Sequence, residues 1–245
     1  MVKVIGVTQA RVGSTRLPNK VLLKINDKTL LEYHLDRLTK SAEVNKWIVA
    51  TTNEQGSDEI VKISNKFHIS AFNGDTDNVL NRFYEAVKNE NPDYIVRVTS
   101  DCPLIDSTLI DKVISHAIKN SLDYCRTSDY YPDGFDVEVF KFSELQFANF
   151  NAKLLSDKEH VTPFIIRRAL EKEQKIDFDC NSDYNKIRLT VDEKEDFNSI
   201  QTLINKLGSN KSWIEYTQYI INNVNLFNNQ SIIRNEGYIN SLKKE

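Results

Sequence analysis

The segment Gln9-Ala-Arg-Val-Gly-Ser-Thr-Arg-Leu-Pro-Asn-Lys20 gathers the cations Arg11, Arg16 and Lys20 around Gly13 and the hydroxyls of Ser14 and Thr15. That mixture suits a triphosphate. Glycine permits a turn and close backbone approach, amides and hydroxyls surround the oxygens, a guanidinium fork grips two of them, and lysine is a mobile point charge. The loop lacks the Gly-x-x-x-x-Gly-Lys-Ser/Thr spacing of a Walker A motif, and no Gly-x-Gly-x-x-Gly fingerprint occurs, which argues against kinase-like P-loops and Rossmann dinucleotide binding. The bland alternative is a basic, solvated loop. Such a concentration of cations beside one of only 7 glycines, in a chain of net charge -3, favours a ligand instead.

Two carboxylates extend this chemistry. Asp101, in Thr99-Ser-Asp-Cys-Pro-Leu-Ile-Asp106, and Asp192, in Arg188-Leu-Thr-Val-Asp192, each follow a strand-like run. Carboxylates from separate strand ends can converge on one Mg²⁺, which takes few protein ligands and leaves other positions to water and phosphate oxygens. Asp192 has an equal claim as the N-cap of a helix over 193–207. Asp101 is set apart from the next helix by Cys102 and Pro103; Ser107 is the expected cap there, with Asp106 and Asp111 in capping and helix-dipole roles.

The elements that must position these residues alternate. Strand-length apolar runs at 2–8, 46–51, 69–72 and 94–99 are separated by helical periodicity over 29–39, 58–67, 77–89 and 107–119. This predicts an α/β fold, a parallel sheet covered by helices, with the basic loop at the carboxyl edge where such sheets bind ligands. Beyond residue 120 the pattern predicts a strand over 135–140 whose polar face carries Asp136 and Glu138, helices over 143–151 and 158–172, and short strands over 175–178 and 187–190. The main body spans 1–207, and the Asn-rich segment 208–245 is expected to pack on it as an extension. His34, His68 and His116 fall within these patterns and read as structural.

A chain of 245 residues, 40% of them hydrophobic, can close a sizeable core. Its acidic balance, with a pI near 5.9, provides no overall positive field, so no nucleic-acid partner is expected. The 3 cysteines are far apart and odd in number, which fits a reducing, cytoplasmic setting. The N-terminus lacks a signal-peptide pattern, and no stretch approaches the roughly 20 apolar residues of a membrane span.

Taken together the motifs resemble the CMP-sugar-acid synthetases, the cytidylyltransferases that activate Kdo and sialic acids, most closely the branch of spore-coat polysaccharide biosynthesis protein F. The match is carried by the loop 9–20, by Ile48-Val-Ala-Thr51, Asn73-Gly-Asp-Thr-Asp-Asn-Val-Leu-Asn-Arg82 and Val96-Arg-Val-Thr-Ser-Asp-Cys-Pro-Leu-Ile-Asp106, then by Tyr131-Pro-Asp-Gly-Phe-Asp-Val-Glu-Val139, Glu159-His-Val-Thr-Pro163 and Arg188-Leu-Thr-Val-Asp192. The resemblance implies a three-layer, Rossmann-like nucleotide-diphospho-sugar transferase fold with a mostly parallel sheet. It also implies transfer of CMP from CTP to a sugar-acid-like acceptor with release of pyrophosphate, in surface glycan biosynthesis, by a magnesium-dependent homodimer.

On that likeness Gln9, Ala10, Arg11, Gly13, Ser14, Arg16 and Lys20 line the nucleotide phosphates, with Lys20, Arg11 and Asp101 catalytic and Asp101 and Asp192 holding magnesium. Asp77, Asn78 and Arg82 would flank the base and ribose. The Kdo and sialate enzymes carry Gln-Gly before the metal aspartate; here Thr99 and Ser100 take that place on the nucleotide side, so the glutamine's base contact does not carry over. Tyr131, Asp133, Asp136, Glu138, Glu159 and His160 would build the acceptor side.

Three rival readings stay open. A nucleotidyltransferase for another NTP, or for a phosphorylated or phosphonate acceptor, shares every phosphate-site feature. A nucleotide-sugar-dependent glycosyltransferase calls for Asp-x-Asp at a strand end, and only Asp75-Thr-Asp77 and Asp177-Phe-Asp179 qualify, neither after a strong central strand. A non-catalytic binding protein would hold nucleotide without turnover.

Overall fold

A computed structural model describes residues 2–232, 234, 236–243 and 245. Its centre is built from apolar runs that are buried on both faces and therefore read as continuous hydrophobic strands. In chain order the strands are β1 (Val4–Gln9), β2 (Lys24–Ile25), β3 (Lys28–Thr29), β4 (Lys46–Thr52), β5 (Ser70–Gly74), β6 (Tyr94–Thr99), β7 (Tyr124–Thr127), β8 (Glu138–Lys141) and β9 (Lys175–Phe178). Apart from the small β2–β3 hairpin they form one 7-stranded sheet of order β5-β4-β1-β6-β8-β7-β9. The pairs β5–β4, β4–β1, β1–β6 and β7–β9 are parallel, while β8 runs antiparallel to both β6 and β7.

Helices cover both faces. On one side lie α1 (Leu30–Leu38), α2 (Ser57–Lys66), α4 (Ser107–Lys119), α8 (Lys194–Leu207) and α9 (Trp213–Asn222), which contribute Leu35, Ile60, Val113, Ile200 and Tyr216 to one core layer. The other layer takes Phe83 from α3 (Val79–Val87), Leu145 from α5 (Phe142–Asn151) and Ile165 from α7 (Pro163–Glu171). Two short helices complete the set, α6 (Leu155–His160) and α10 (Glu236–Leu242). The expected three-layer α/β architecture with a mostly parallel sheet is therefore the one adopted. Among the described residues no helix is long and apolar enough to cross a membrane.

Strand order reverses about β1, whose neighbours are β4 and β6. The crevice at the carboxyl ends of β1 and β6 is thus a topological switch point, the default ligand position of an open α/β sheet. Gln9 and Thr99 are register partners there, so the loops that follow them are brought side by side. Buried His34 fastens the arrangement from below. Its ring nitrogens lie 2.9 Å from Thr8 Oγ1 and 2.9 Å from the carbonyl of Cys102, linking α1 to β1 and to the turn carrying Asp101.

Several expectations shift. The helix expected over 158–172 is two, α6 and α7, because Pro163 cannot donate to the carbonyl four residues earlier. Val161 turns the chain with φ 71, and Pro163 begins the new helix. The strand expected over 135–140 starts only at Glu138, leaving Asp136 in the preceding loop. Residues 187–190 form no strand but one parallel bridge, Asp133 to Arg188. Gly134 follows at φ 108, its backbone tight against that of Leu189 and Thr190. Strand β7, only four residues long, has no counterpart in the sequence pattern. Asp106, not Ser107, caps α4, accepting from the N–H groups of Thr108 and Leu109. Asp111 instead receives Ser41 Oγ and the N–H groups of Ala42 and Glu43, fixing the turn after α1.

Two stability predictions follow from this packing. Burial pushes the His34 imidazole down to about 4. On acidification the unfolded chain takes up a proton first, so this contribution is complete above a pH of about 6.5 and is lost as pH falls toward 4, about 3 kcal/mol in full. Urea midpoints measured at neutral pH and near pH 4.5 should fall more for the wild type than for His34→Gln. At Gly134 an added Cβ would lie 2.6 Å from the Leu189 carbonyl carbon and 2.7 Å from the Thr190 nitrogen. Gly134→Ala should therefore cost on the order of 2 kcal/mol or more in chemical denaturation, a backbone clash added to left-handed strain.

Candidate active site

The basic loop leaves β1 and is held by backbone bonds. Ala10 N–H donates to the Ala50 carbonyl at 3.2 Å, and the carbonyl of buried Val12 accepts from Ser14 at 2.9 Å and Asn19 at 3.2 Å. Gly13 passes so close to Glu54 that a Cβ would lie 2.4 Å from Oε1. Asn19 then turns left-handed, φ 56, and starts the short helix Lys20–Leu22. This turn sends Lys20 inward while Arg11 stays exposed, and among the described residues Arg11 makes no hydrogen bond or ion pair.

Lys20 Nζ lies 3.0 Å from Asp101 Oδ2, 2.8 Å from Asp192 Oδ1 and 2.9 Å from the Val191 carbonyl. The two aspartates thus converge on a single point. Burial works against the Asp101 carboxylate, but the Lys20 charge and hydrogen bonds from Thr99 and Lys20 outweigh it and hold its pKa well below the usual range. Lys20 is likewise held above its ordinary value, its two carboxylates overcoming burial. Arg16 adds a second cation, 3.0 Å from Asp192 Oδ1. The oxygens around Lys20 Nζ, two carboxylates and a carbonyl, are the hard donors a magnesium ion takes, so the residues present fit that ion. Among the described residues no group of three or more His, Cys, Asp or Glu converges elsewhere as a metal cage.

Asp192 is not the helix cap. Glu193 caps α8 in a reciprocal box with Asp196, which also accepts the N–H of Asp192. The second oxygen of Asp192 is held by Arg188 Nη2 at 3.2 Å. Buried Arg188 also reaches Asp133 at 2.5 Å and Asp196 at 2.8 Å, so one guanidinium joins the loop before β8, the end of the 187–192 segment and the start of α8. Burial pushes the Asp133 carboxyl up, and Asp136 adds to the rise, against the pull of Arg188 and Arg234.

The acceptor-side residues divide. Tyr131 is buried in the core, its ring centroid 4.9 Å from that of Trp213. Asp133 and Asp136 meet Arg234, whose Nη2 is 2.5 Å from Asp136 Oδ1 and whose Nε is 3.9 Å from Asp133 Oδ1. Glu138 is no solvated strand face. It pairs with Arg97 and accepts from Tyr124 Oη at 2.6 Å and Thr162 Oγ1 at 2.7 Å. Glu159 and His160 share Ser241 Oγ, each at 2.8 Å. Burial pushes His160 below its ordinary value.

On the nucleotide side, Ser100 Oγ donates to the Gln9 carbonyl at 2.6 Å, and Gln9 Oε1 accepts from Arg97. Asn78 caps α3 through its side-chain oxygen, and Arg82 turns inward to the Asp75 carbonyl at 2.6 Å, which leaves Asp77 the exposed member of that trio. Arg97, Arg188 and Arg234 were not picked out from the sequence. A charged residue inside the apolar run of β6 was a signal for Arg97, and Arg188 stands four residues before Asp192; Arg234 carried none.

The chain is similar to known proteins along most of its length. A cytidylyltransferase family profile matches residues 5–231. The chain is 42% identical over 198 residues to the uncharacterized protein MJ1063 of Methanocaldococcus jannaschii, covering 80% of each chain. It is 32% identical over 218 residues to the spore coat polysaccharide biosynthesis protein SpsF of Bacillus subtilis, covering 82% of this chain and 86% of that one. A cytidylyltransferase structure from Leptospira borgpetersenii superimposes with a TM-score of 0.88 at 32% identity, over 96% of this chain and 100% of the other. With its switch-point loop, its paired aspartates and a family match across nearly its whole length, the chain belongs to the cytidylyltransferases, enzymes of the nucleotide-sugar transferase fold.

Proposed function

We propose that the chain transfers CMP from CTP to a hydroxyl of a small sugar-acid-like acceptor, releasing pyrophosphate, in surface glycan synthesis. The observation that carries this reading is the ammonium of Lys20 pinned between Asp101 and Asp192 beside the basic loop. Oxygen donors already meet there at one point, next to Arg16. Asp101 and Asp192 would hold magnesium, which when bound supplies charge neutralisation at the phosphates. Lys20 then gives up its carboxylates and, with Arg11 and Arg16, grips the phosphates that depart as pyrophosphate. The acceptor oxygen forms its bond to the α-phosphorus as the bond from that phosphorus to the bridging oxygen breaks in line. Asp133, Asp136 and Glu159 give the opposite wall an acidic character suited to the hydroxyls of a sugar. Catalysis on this reading is mainly alignment and electrostatics.

Pyrophosphate release should be fastest with CTP among the four nucleoside triphosphates, and with nonulosonic or Kdo-like acids over phosphorylated or phosphonate alcohols. Preference for another triphosphate would overturn the base assignment, and turnover only with phosphorylated acceptors the acceptor assignment. Asp101→Asn should lower kcat on the order of 100-fold while keeping the fold. It should also weaken Mn²⁺ binding in a spin-resonance titration; unchanged turnover and unchanged Mn²⁺ affinity would refute the metal role.

A further inference from the structure

The C-terminal segment returns to the site from far away in sequence and touches both of its halves. Its root is fixed: Asn229 is fully buried, bonded to Ser199 at 2.8 Å and Asp196 at 2.9 Å, and Gln230 accepts from the Arg188 N–H at 2.8 Å. Beyond that root the contacts change in kind. Arg234 lies against Asp136 and donates to the carbonyl of Tyr131 at 3.1 Å. Two residues later Glu236 Oε2 sits 3.1 Å from Arg16 Nη1, and Ser241 meets Glu159 and His160 at 2.8 Å each.

The segment therefore offers a cation to the acidic wall and a carboxylate to the triphosphate loop, the charges that substrates would bring. Its helix packs on α6, where the Tyr238 ring lies edge-on to His160, 5.1 Å between centroids, and Ser241 is buried. Helix α10 has only 7 residues, and its Ile239 and Leu242 remain 42% and 45% exposed. A helix so short, packed on α6 with these two side chains exposed, belongs to the lower-stability part of a structure.

We propose that Arg234 and the stretch 236–242 form a built-in competitor of the substrates, with Glu236 standing where a phosphate oxygen would sit on Arg16 and Arg234 closing the acidic acceptor wall. It lifts away as the nucleotide enters. Arg16 cannot serve a triphosphate fully while Glu236 holds it. This rests on the reading of loop 9–20 as a triphosphate cradle.

The test uses tripolyphosphate, which probes the cradle irrespective of base and acceptor. Titration calorimetry on the full-length wild type and on Glu236→Gln, with amide exchange followed over 236–242, separates the two ideas. Glu236→Gln should bind tripolyphosphate roughly 2- to 5-fold tighter, the worth of one partly exposed ion pair. Wild-type protection over 236–242 should fall when the anion binds. Glu195→Gln, which removes an exposed charge nearby but touches no cradle residue, should leave affinity unchanged. Equal affinity in wild type and Glu236→Gln, an equal gain in Glu195→Gln, or a rise in protection over 236–242 would each overturn the competitor while leaving the cradle intact. Absence of tripolyphosphate binding in both wild type and Glu236→Gln would overturn the cradle, and the competitor with it.

Discussion

A guanidinium taken out of water must be surrounded by counter-charge, or the fold loses several kcal/mol. Arg188 is a buried guanidinium met in this way, with only 4% of its side chain exposed and carboxylates of Asp133, Asp192 and Asp196 within hydrogen-bond reach. Burial opposes its charge, and those three partners more than compensate, holding its pKa above the ordinary value. Because Asp133 comes from the loop before β8 while Asp192 and Asp196 follow Arg188 in the chain, satisfying one side chain sets the position of that loop, of Asp192 and of the start of α8 together. The buried side chain of Asn229, bonded to Asp196 and the Arg188 carbonyl, attaches the C-terminal segment to the same cluster.

From that anchor the site becomes a set of exchangeable ionic partners. Asp192 presents one oxygen to Arg188 and the other to Lys20 and Arg16. Glu138 is committed to Arg97, and Arg97 in turn approaches Gln9 at the end of β1. Lys20 and Arg16 of the basic loop are thus already neutralised inside the protein, while among the described residues Arg11 makes no ion pair. Ligand entry in such a site is substitution of one counter-charge for another, which keeps net desolvation low and lets a marginally stable fold carry a dense charge cluster.

Helical period was legible where a helix rests one face on the sheet. Leu30, Leu31, Leu35 and Leu38 mark α1, and Leu109, Ile110, Val113 and Ile114 mark α4, each at the spacing that lines one buried side. Local pattern failed where tertiary contacts decided the backbone. Val161 and Pro163 divide a continuous amphipathic pattern in two, β7 is too short to announce itself, and the 187–190 run forms a single bridge in place of a strand. Asp192 was balanced between cap and ligand on sequence, and only the box formed by Glu193 and Asp196 released it.

The sequence by itself determined the fold class, the basic loop and the placement of Asp101 at the end of a parallel strand. Repeated strand and helix patterns oblige the strand ends to share one edge, so residue order alone puts those groups on the same side. Which charge meets which was decided only by the tertiary structure. Lys20 reaches Asp101 across 81 residues and Asp192 across 172, and Arg16 reaches Glu236 across 220. Coulombic pairing depends on distance in space and on shielding from water, and no local pattern of residues encodes either.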